Sequence, residues 1–421
     1  MYYFSMKRLQ GYKFELKPKA KQLDHLNQSL GANRFVWNKF LEANLLRLEN
    51  KLPLIRYQEM AWLLTLWKQS DEYAFLNDVP SQSLQQTAKA LDRAFKDGFD
   101  TKQPRKHIPR FKRRGRNEAG IKYPQHNILD QGNSVIKLPK IGWVKYKKSQ
   151  EIQGVIKNVT ISRKGGKYFV SIQTEREVEK PYHPATTAVG IDMGITNFAT
   201  LSDGTVIAPK NSYHNLKRSL AKEQWKLKNK VKSSSNYRKQ IKRINKVHCK
   251  IANVRHDFLH KQSSFIANNH AMIVIEDLKI SNMSRSAKGT LEDPGRNVAQ
   301  KSGLNRSILD QGWGKFRTLL EYKMEWLGGW VISVNPKHTS QTCPKCHHVS
   351  QDNRKTQAEF LCVSCGYKDN ADLIAAQNIL QRGLEYLSED SQEKNRGALG
   401  VSLRSEYRKI SATGTSSLLV V

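Results

Sequence analysis

The chain of 421 residues is short of acid: 37 Asp and Glu stand against 71 Lys and Arg, a formal charge of +34. An ordinary metabolic enzyme has no need of that imbalance, and a chain that repels itself this strongly implies a polyanionic partner. Long apolar runs are missing as well. No segment approaches the ~18 consecutive apolar residues of a membrane span. Met1 to Ala20 mixes Tyr, Lys, Arg and Glu without a continuous apolar stretch, so the expectation is a soluble, intracellular chain with no membrane partner. Cysteine is scarce, five in all, and nothing routes the chain to an oxidising compartment, which excludes a disulfide framework. No internal repeat is evident. The 38% hydrophobic and 9% aromatic residues suffice for real cores and exclude wholesale disorder. The length points to roughly two to four domains.

The positive charge is concentrated. Residues 101–180 hold 20 basic and 6 acidic side chains, and residues 214–261 hold 15 and 2, so two stretches supply +27 of the total. The first contains Arg105, Lys106, Arg110, Lys112, Arg113, Arg114 and Arg116, interrupted by Pro104, Pro109 and Gly115. It reads as a solvated linker or as a loop that tracks phosphates, and the single-sign density favours the second. In the other stretch, Ile241, Ile244, Ile251 and Phe258 share a helical face, while Lys239, Lys242 and Arg243 supply charge. A break at Ser233–Asn236 makes this a basic helical hairpin. Four aromatics near the charge (Tyr123, Trp143, Tyr146, Trp225) are either packing residues or stacking platforms for unpaired bases.

Periodicity gives the rest of the order. Tyr12–Lys17 alternates as a strand ended by Pro18. Helical patterns cover 21–50, 56–69 and 82–98, the last with Leu84, Ala88, Leu91 and Phe95 on one face. Strand patterns follow at 155–162 and 168–174. Ala188–Ile191 and Ala271–Ile275 read as buried strands, a hairpin turns at Ser202-Asp203-Gly204, and 313–327, 329–334 and 371–382 read as helix, strand and helix. The expected fold class is α+β and multidomain. A split β-barrel or sandwich (1–20 and 121–184) carries an inserted helical domain with its basic loop (21–120). A second α/β domain (185–337 and 369–387) encloses a cysteine module (338–368), and a flexible tail (388–421) follows.

Cys343-x-x-Cys346 and Cys362-x-x-Cys365, fifteen residues apart, have the spacing of a four-thiolate zinc ribbon. With all four positions filled by sulfur, the Zn²⁺ is structural. Cys249 stands alone in the basic helix and reads as a packing residue. Three acids stand out by place: Asp192 and Glu276 each close a buried strand, and Asp372 opens an amphipathic helix. Acids held there could grip two Mg²⁺ or Mn²⁺ ions for phosphodiester hydrolysis. From residue type and place alone, structural roles stay equally open.

The segments around these acids carry a resemblance. Gly190-Ile191-Asp192-Met193-Gly194, Val274-Ile275-Glu276-Asp277-Leu278 and Asn370-Ala371-Asp372-Leu373-Ile374 resemble the three motifs of RuvC-type, RNase H-like nucleases. Their order, with Gln311-Gly312-Trp313, Tyr322-Lys323 and the ribbon between the second and third, resembles TnpB, the RNA-guided nuclease encoded by insertion sequences. It is also similar to the compact type V CRISPR effectors. Tyr12-Lys13-Phe14 and Gly31–Asn38 match the family's opening region, so the resemblance spans about residues 10–382.

That resemblance implies Asp192, Glu276 and Asp372 as the magnesium-binding catalytic acids of a DNA endonuclease, and the four cysteines as zinc ligands. It implies a wedge domain with a recognition insert that holds a guide RNA from the transposon end and reads a short motif beside a double-stranded DNA target. A monomeric ribonucleoprotein in the cytoplasm, associated with the nucleoid, is the expected form. Two positions depart from the family: Ile374 where Asn is common, and His347 where Gly is common. A non-cleaving RNA-guided regulator and a DNA-strand transferase are the alternatives.

Overall fold

The computed structural model describes residues 5–103, 106–114, 120–124 and 128–393. Two compact units divide the chain, Met1–Glu179 and Lys180–Val421.

In the first unit, β1 (Ser5–Lys17) leads into the helices α1 (Ala20–Glu49), α2 (Tyr57–Gln69) and α3 (Ser81–Phe99). The strands β2 (Ile121–Tyr123), β3 (Ile128–Asp130), β4 (Val135–Leu138), β5 (Gly142–Tyr146), β6 (Val155–Lys164) and β7 (Lys167–Glu179) follow. They form an antiparallel sheet of order β2-β6-β7-β1-β5-β4-β3. Strand β1 runs against β7 from Ser5–Glu179 to Glu15–Phe169, then crosses to β5 at Leu16–Tyr146. Alternation drives this: Tyr12, Phe14 and Leu16 are buried on one face with Val170, Ile172 and Val144, and α1 covers them with Leu26 and Leu30. Among the described residues no ladder joins β2 to β3, which stand at the two ends of this strand order. The helices keep a core of their own, in which Val36, Phe40, Met60, Leu64, Leu84, Leu91 and Phe95 meet. Strand β1 extends seven residues upstream of the alternating run, because backbone pairing with β7 does not require the polar stretch before Tyr12 to bury side chains.

The second unit opens with β8 (Ala188–Asp192), β9 (Ala199–Leu201) and β10 (Val206–Ile207). The helices α4 (Ser212–Lys228) and α5 (Ser235–Asn269), the strand β11 (Met272–Glu276) and the helices α6 (Ile280–Met283), α7 (Val298–Gln311) and α8 (Trp313–Leu327) come next. Strands β12 (Trp330–Val334), β13 (Glu359–Leu361) and β14 (Lys368–Asn370) precede α9 (Ala371–Glu393). The five-stranded sheet has the order β10-β9-β8-β11-β12, with β8, β11 and β12 parallel. The two inner strands, β8 and β11, are buried on both faces, which is why they read as unbroken apolar runs. Val189, Ile191, Ile273 and Ile275 face Leu259, Ile266, Phe316 and Leu320 of α5 and α8. Met272 and Val274 face Ile379 of α9.

Ser234 caps α5 by accepting the Tyr237 N–H at 3.1 Å, which accounts for the break between the two basic helices. Helix α7 was not legible in sequence: of its fourteen residues only Ile308, Asp310 and Gln311 are buried, so it shows no apolar stripe. Helix α9 runs to Glu393, well past the expected start of a flexible tail at 388; residues 394–421 of that tail lie outside the described residues.

Gly190 is dictated by this packing. A Cβ there would meet the Ala376 carbonyl oxygen at 2.1 Å and the Leu380 nitrogen at 2.7 Å, so a side chain is excluded where α9 crosses β8. Gly190→Ala is expected to destabilise the unit by about 1–3 kcal/mol or more. A denaturant midpoint shifted by that amount, with an unchanged m-value, checks it.

Candidate functional site

Strands β8 and β11 are parallel neighbours in register at Ile191–Ile275, so the next residue of each, Asp192 and Glu276, emerges side by side at the carboxyl end of the sheet. In open α/β sheets this edge forms the ligand crevice. Asp372 joins them from the first turn of α9, whose leading N–H groups (Asp372 and Leu373) are accepted by Asn370 Oδ1 at 2.9 and 3.2 Å.

The cluster is electrostatically strained. Burial, followed by the neighbouring charges of Glu276 and Asp372, pushes the Asp192 carboxyl up to about 7, against the opposing pull of Arg354 and the Met193 N–H. Burial also raises Glu276, opposed by a hydrogen bond from Thr339 and by the charge of Arg382. Thr339 Oγ1 donates to Glu276 Oε1 at 2.7 Å. Arg354 Nη2 donates to Asp372 Oδ1 at 2.9 Å, and Asn197 Nδ2 approaches Oδ2 at 3.4 Å. Carboxylate oxygens are hard donors, the type that divalent cations such as Mg²⁺ take.

The four cysteine sulfurs lie within 4.8 Å of one another, with Cys343–Cys365 at 3.6 Å and Cys346–Cys362 at 3.5 Å. A tetrahedron of Zn–S bonds of ~2.3 Å needs sulfurs about 3.8 Å apart, so the donor set fits zinc. Each knuckle closes alike: His347 N–H donates to the Cys343 carbonyl at 2.9 Å, and Gly366 N–H to the Cys362 carbonyl at 3.0 Å. Both residues are left-handed, at φ 59° and 70°. That conformation favours glycine, and His347 adopts it at a cost of about 1 kcal/mol. Ile374, the other departure, is fully buried beneath the module with Cys343, Phe360, Cys362 and Ala371. It packs the ribbon onto α9.

Of the basic loop, Arg105 and Arg116 lie outside the described residues. The described part is held on α1 and is not a free linker. Asn38 bonds both the N–H and the C=O of Lys112, at 2.8 and 3.1 Å. Trp37 donates to the Arg110 carbonyl at 3.1 Å and carries the Lys112 ammonium 4.0 Å above its ring. Lys106 pairs with Asp97 at 3.5 Å, and Arg113 and Arg114 are exposed at the far end. On α5, Lys239, Lys242 and Arg243 are exposed opposite the buried Gln240, Ile244 and Ile251. Tyr123 and Tyr146 are buried packing residues, whereas Trp143 and Trp225 are exposed.

Sequence reasoning missed Arg354, Thr339 and Asn197, which reach the acids from irregular segments without periodicity. The one available signal was position: Thr339 and Arg354 flank the first cysteine pair and so move with the module.

Comparison with known proteins follows the same division. Residues 171–287 match a family model described as "Probable transposase", and residues 313–379, covering the cysteines and Asp372, match one for a "Cas12f1-like, TNB domain". The chain is 50% identical over 378 residues to InsQ of Escherichia coli (strain K12), an RNA-guided DNA endonuclease by name, covering 90% of this chain and 93% of that one. The chain belongs to the TnpB family. A Streptomyces pristinaespiralis member with the same description in its name is 31% identical over 413 residues, 97% of this chain and 94% of that one. A cryo-EM structure of a Cas12f1–sgRNA–target DNA complex aligns over 89% of this chain and 98% of that one, with 13% identity and a TM-score of 0.49. A third model, described as a "Helix-turn-helix domain", matches residues 6–51. Here that segment of this TnpB-family chain is the strand β1 followed by the single helix α1. Among the described residues no helix is long and apolar enough to cross a membrane.

Proposed function

We propose that this chain is an RNA-guided DNA endonuclease of an insertion sequence, which hydrolyses target DNA at Asp192, Glu276 and Asp372. The observation that carries the reading is the convergence of three acids at one sheet edge, where burial, followed by the charges of Glu276 and Asp372, raises Asp192 to about 7. Arg354 and Arg382 offset this only in part, since Asp192 stays raised, and a fold gains nothing structurally from such remaining strain, whereas a cation site does.

Divalent ions bound there would activate the attacking water and stabilise the leaving oxygen, as two-metal phosphodiester hydrolysis requires. Rigid strand ends hold Asp192 and Glu276 in place, and Arg354 and Asn197 fix the orientation of Asp372 through both its oxygens. Arg354 also brings a permanent positive charge beside Asp372, where it could offset negative charge that develops on a phosphate held at the acids. Cys343, Cys346, Cys362 and Cys365 would hold Zn²⁺ in a structural role, and the cysteine module carries the segments that deliver Thr339 and Arg354.

A guide RNA from the transposon end and a double-stranded DNA target bearing a short adjacent motif are the partners. The exposed cations of the loop at 106–114 and of α5 would contact backbone phosphates rather than bases. The test is direct. Chain purified with its co-expressed RNA is expected to cut a matched linear DNA in Mg²⁺, leaving free ends, and to leave a mismatched DNA whole. An intact matched target would refute the reading, and joined ends would favour strand transfer.

A further inference from the structure

Glu276 is buried, 8% exposed, at the end of β11, and its two oxygens are treated differently. Oε1 accepts the Thr339 hydroxyl at 2.7 Å in a fully buried bond. Among the described residues no donor reaches Oε2. Thr339 is itself 4% exposed and lies just ahead of the first cysteine pair. Its hydroxyl has a single proton, and the Pro336 carbonyl at 3.2 Å is the weaker competitor for it. With Glu276 ionised, the shorter bond to a charged acceptor wins.

The backbone of this turn is also gripped. Asn378, buried on α9, spends both N–H bonds on it, to the Thr339 and Thr342 carbonyls at 2.8 Å each. One helical turn further on, Arg382 donates to the carbonyls of Asn335 and Lys337, at 2.9 and 2.6 Å. The helix that carries Asp372 in its first turn therefore also fixes the segment that supplies Glu276 with its hydroxyl.

We propose that Thr339 is a positioning residue for Glu276: its hydroxyl pins one carboxylate oxygen and so leaves the other as the atom that takes a divalent cation, with Asn378 holding Thr339 in place. The inference rests on the nuclease reading of the acids given above. Partners that orient a metal ligand in this way are worth about 10–100-fold in metal affinity or activity.

Two variants separate the hydroxyl from the space it fills. Thr339→Val keeps the shape and loses the donor, while Thr339→Ser keeps the donor and loses a methyl group. Mn²⁺ affinity is measured calorimetrically on the full chain with its RNA and an uncleavable phosphorothioate target, and cleavage is measured on ordinary target DNA. For Thr339→Val, Mn²⁺ binding at the acids is expected to weaken about 10–100-fold, and cleavage at limiting metal to fall in parallel. Added metal should restore part of the cleavage, and target affinity should not change. Thr339→Ser should stay within about threefold of the parent on both readouts.

Parental values for Thr339→Val with a loss in Thr339→Ser would overturn the proposal, because that order marks packing. Equal impairment of both variants would overturn it too. If the parent binds Mn²⁺ at the acids yet leaves DNA intact, the nuclease reading fails, but a selective loss of Mn²⁺ in Thr339→Val still upholds the positioning role. A parent that cuts alongside an unaffected Thr339→Val has the opposite meaning.

Discussion

Asp192→Asn is expected to abolish cleavage, by at least ~10³-fold or about 4 kcal/mol of transition-state stabilisation, and to make the cation-free protein more stable. The two effects have one origin. In the folded chain the Asp192 carboxyl holds its proton up to about pH 7, whereas in the unfolded chain it releases it near the ordinary carboxylate value of 3.8. Between those values the folded state binds more protons than the unfolded state, so stability falls as pH rises through the window and levels off above about 7. At about 1.4 kcal/mol per pH unit, the full penalty is on the order of 4 kcal/mol. An amide at this position never ionises. The gain from Asp192→Asn should therefore be absent below pH 4, grow through pH 5 and 6, and be complete at pH 8.

Cations invert the ranking. Millimolar Mg²⁺ should stabilise the parent by binding only the folded state, and should do little for the variant. Thermal unfolding at pH 4.5 and 8, each in chelator and in Mg²⁺, gives the comparison, with guide RNA held constant. A variant less stable than the parent at pH 8 in chelator would contradict the account of Asp192 as a buried carboxylate that Arg354 and the Met193 N–H compensate only in part. Retained cleavage would remove it from the active site.

The acids and the cysteines were legible in the sequence for reasons that the fold makes plain. Parallel strands buried on both faces leave a continuous apolar signature, and the acid that ends such a run has nowhere to be but the sheet edge. Thiolate ligands need fixed local spacing, so the two cysteine pairs carry their geometry in the chain itself. The groups that orient the acids leave no such trace. Thr339 lies in a turn, Arg354 follows a short 3₁₀ turn, and Asn197 lies between β8 and β9. Each was selected for the place its side chain reaches after folding, which no period of 2 or 3.6 encodes. Helix α7 was hidden for a related reason. Its Asp310 is buried because it accepts the Tyr213 and His214 N–H groups at the start of α4 and pairs with Arg255 at 2.7 Å, so polar chemistry stands where an apolar stripe would have shown. The two family departures were visible as residues but not as consequences. Only the left-handed φ of His347 and the complete burial of Ile374 say what each position demands.

Removal of zinc should be nearly as damaging as loss of an acid, although zinc is remote from the chemistry. The module between β12 and α9 has a core of few residues: Cys343, Phe360 and Cys362, with Ala371 and Ile374 of α9 beneath them. That is too little apolar burial to offset the ordering of about thirty residues. Structural zinc supplies about 10–16 kcal/mol in comparable small sites, so here metal binding and folding of the module are one event. When the module melts, Arg354 leaves Asp372, and the turn carrying Thr339 is held from α9 alone, by Asn378 and Arg382, with its end at Cys343 freed. Two supports of the acid cluster go together. Each is worth about 10–100-fold, so cleavage should fall by roughly 10²–10⁴-fold.

The sheet itself should survive, because its cores are built from β8, β9, β11, α5, α8 and the later turns of α9. Unfolding would then show the module melting in a transition of its own, ahead of the rest of the unit. A zinc-selective chelator in excess Mg²⁺ makes the measurement without depleting the acids of cation, with released zinc counted against residual activity. Cys362→Ser, which lowers the thiolate count to three, is the arm that uses no chelator. Both arms should lose cleavage in proportion to zinc lost, and raising Mg²⁺ should restore at most the share owed to Thr339, since Arg354 acts through geometry and not through cation supply. Zinc-free chain that cuts within a few fold of the parent would mean that Thr339 and Arg354 hold their places without the module. The coupling drawn here between cysteine cluster and acid site would then be wrong.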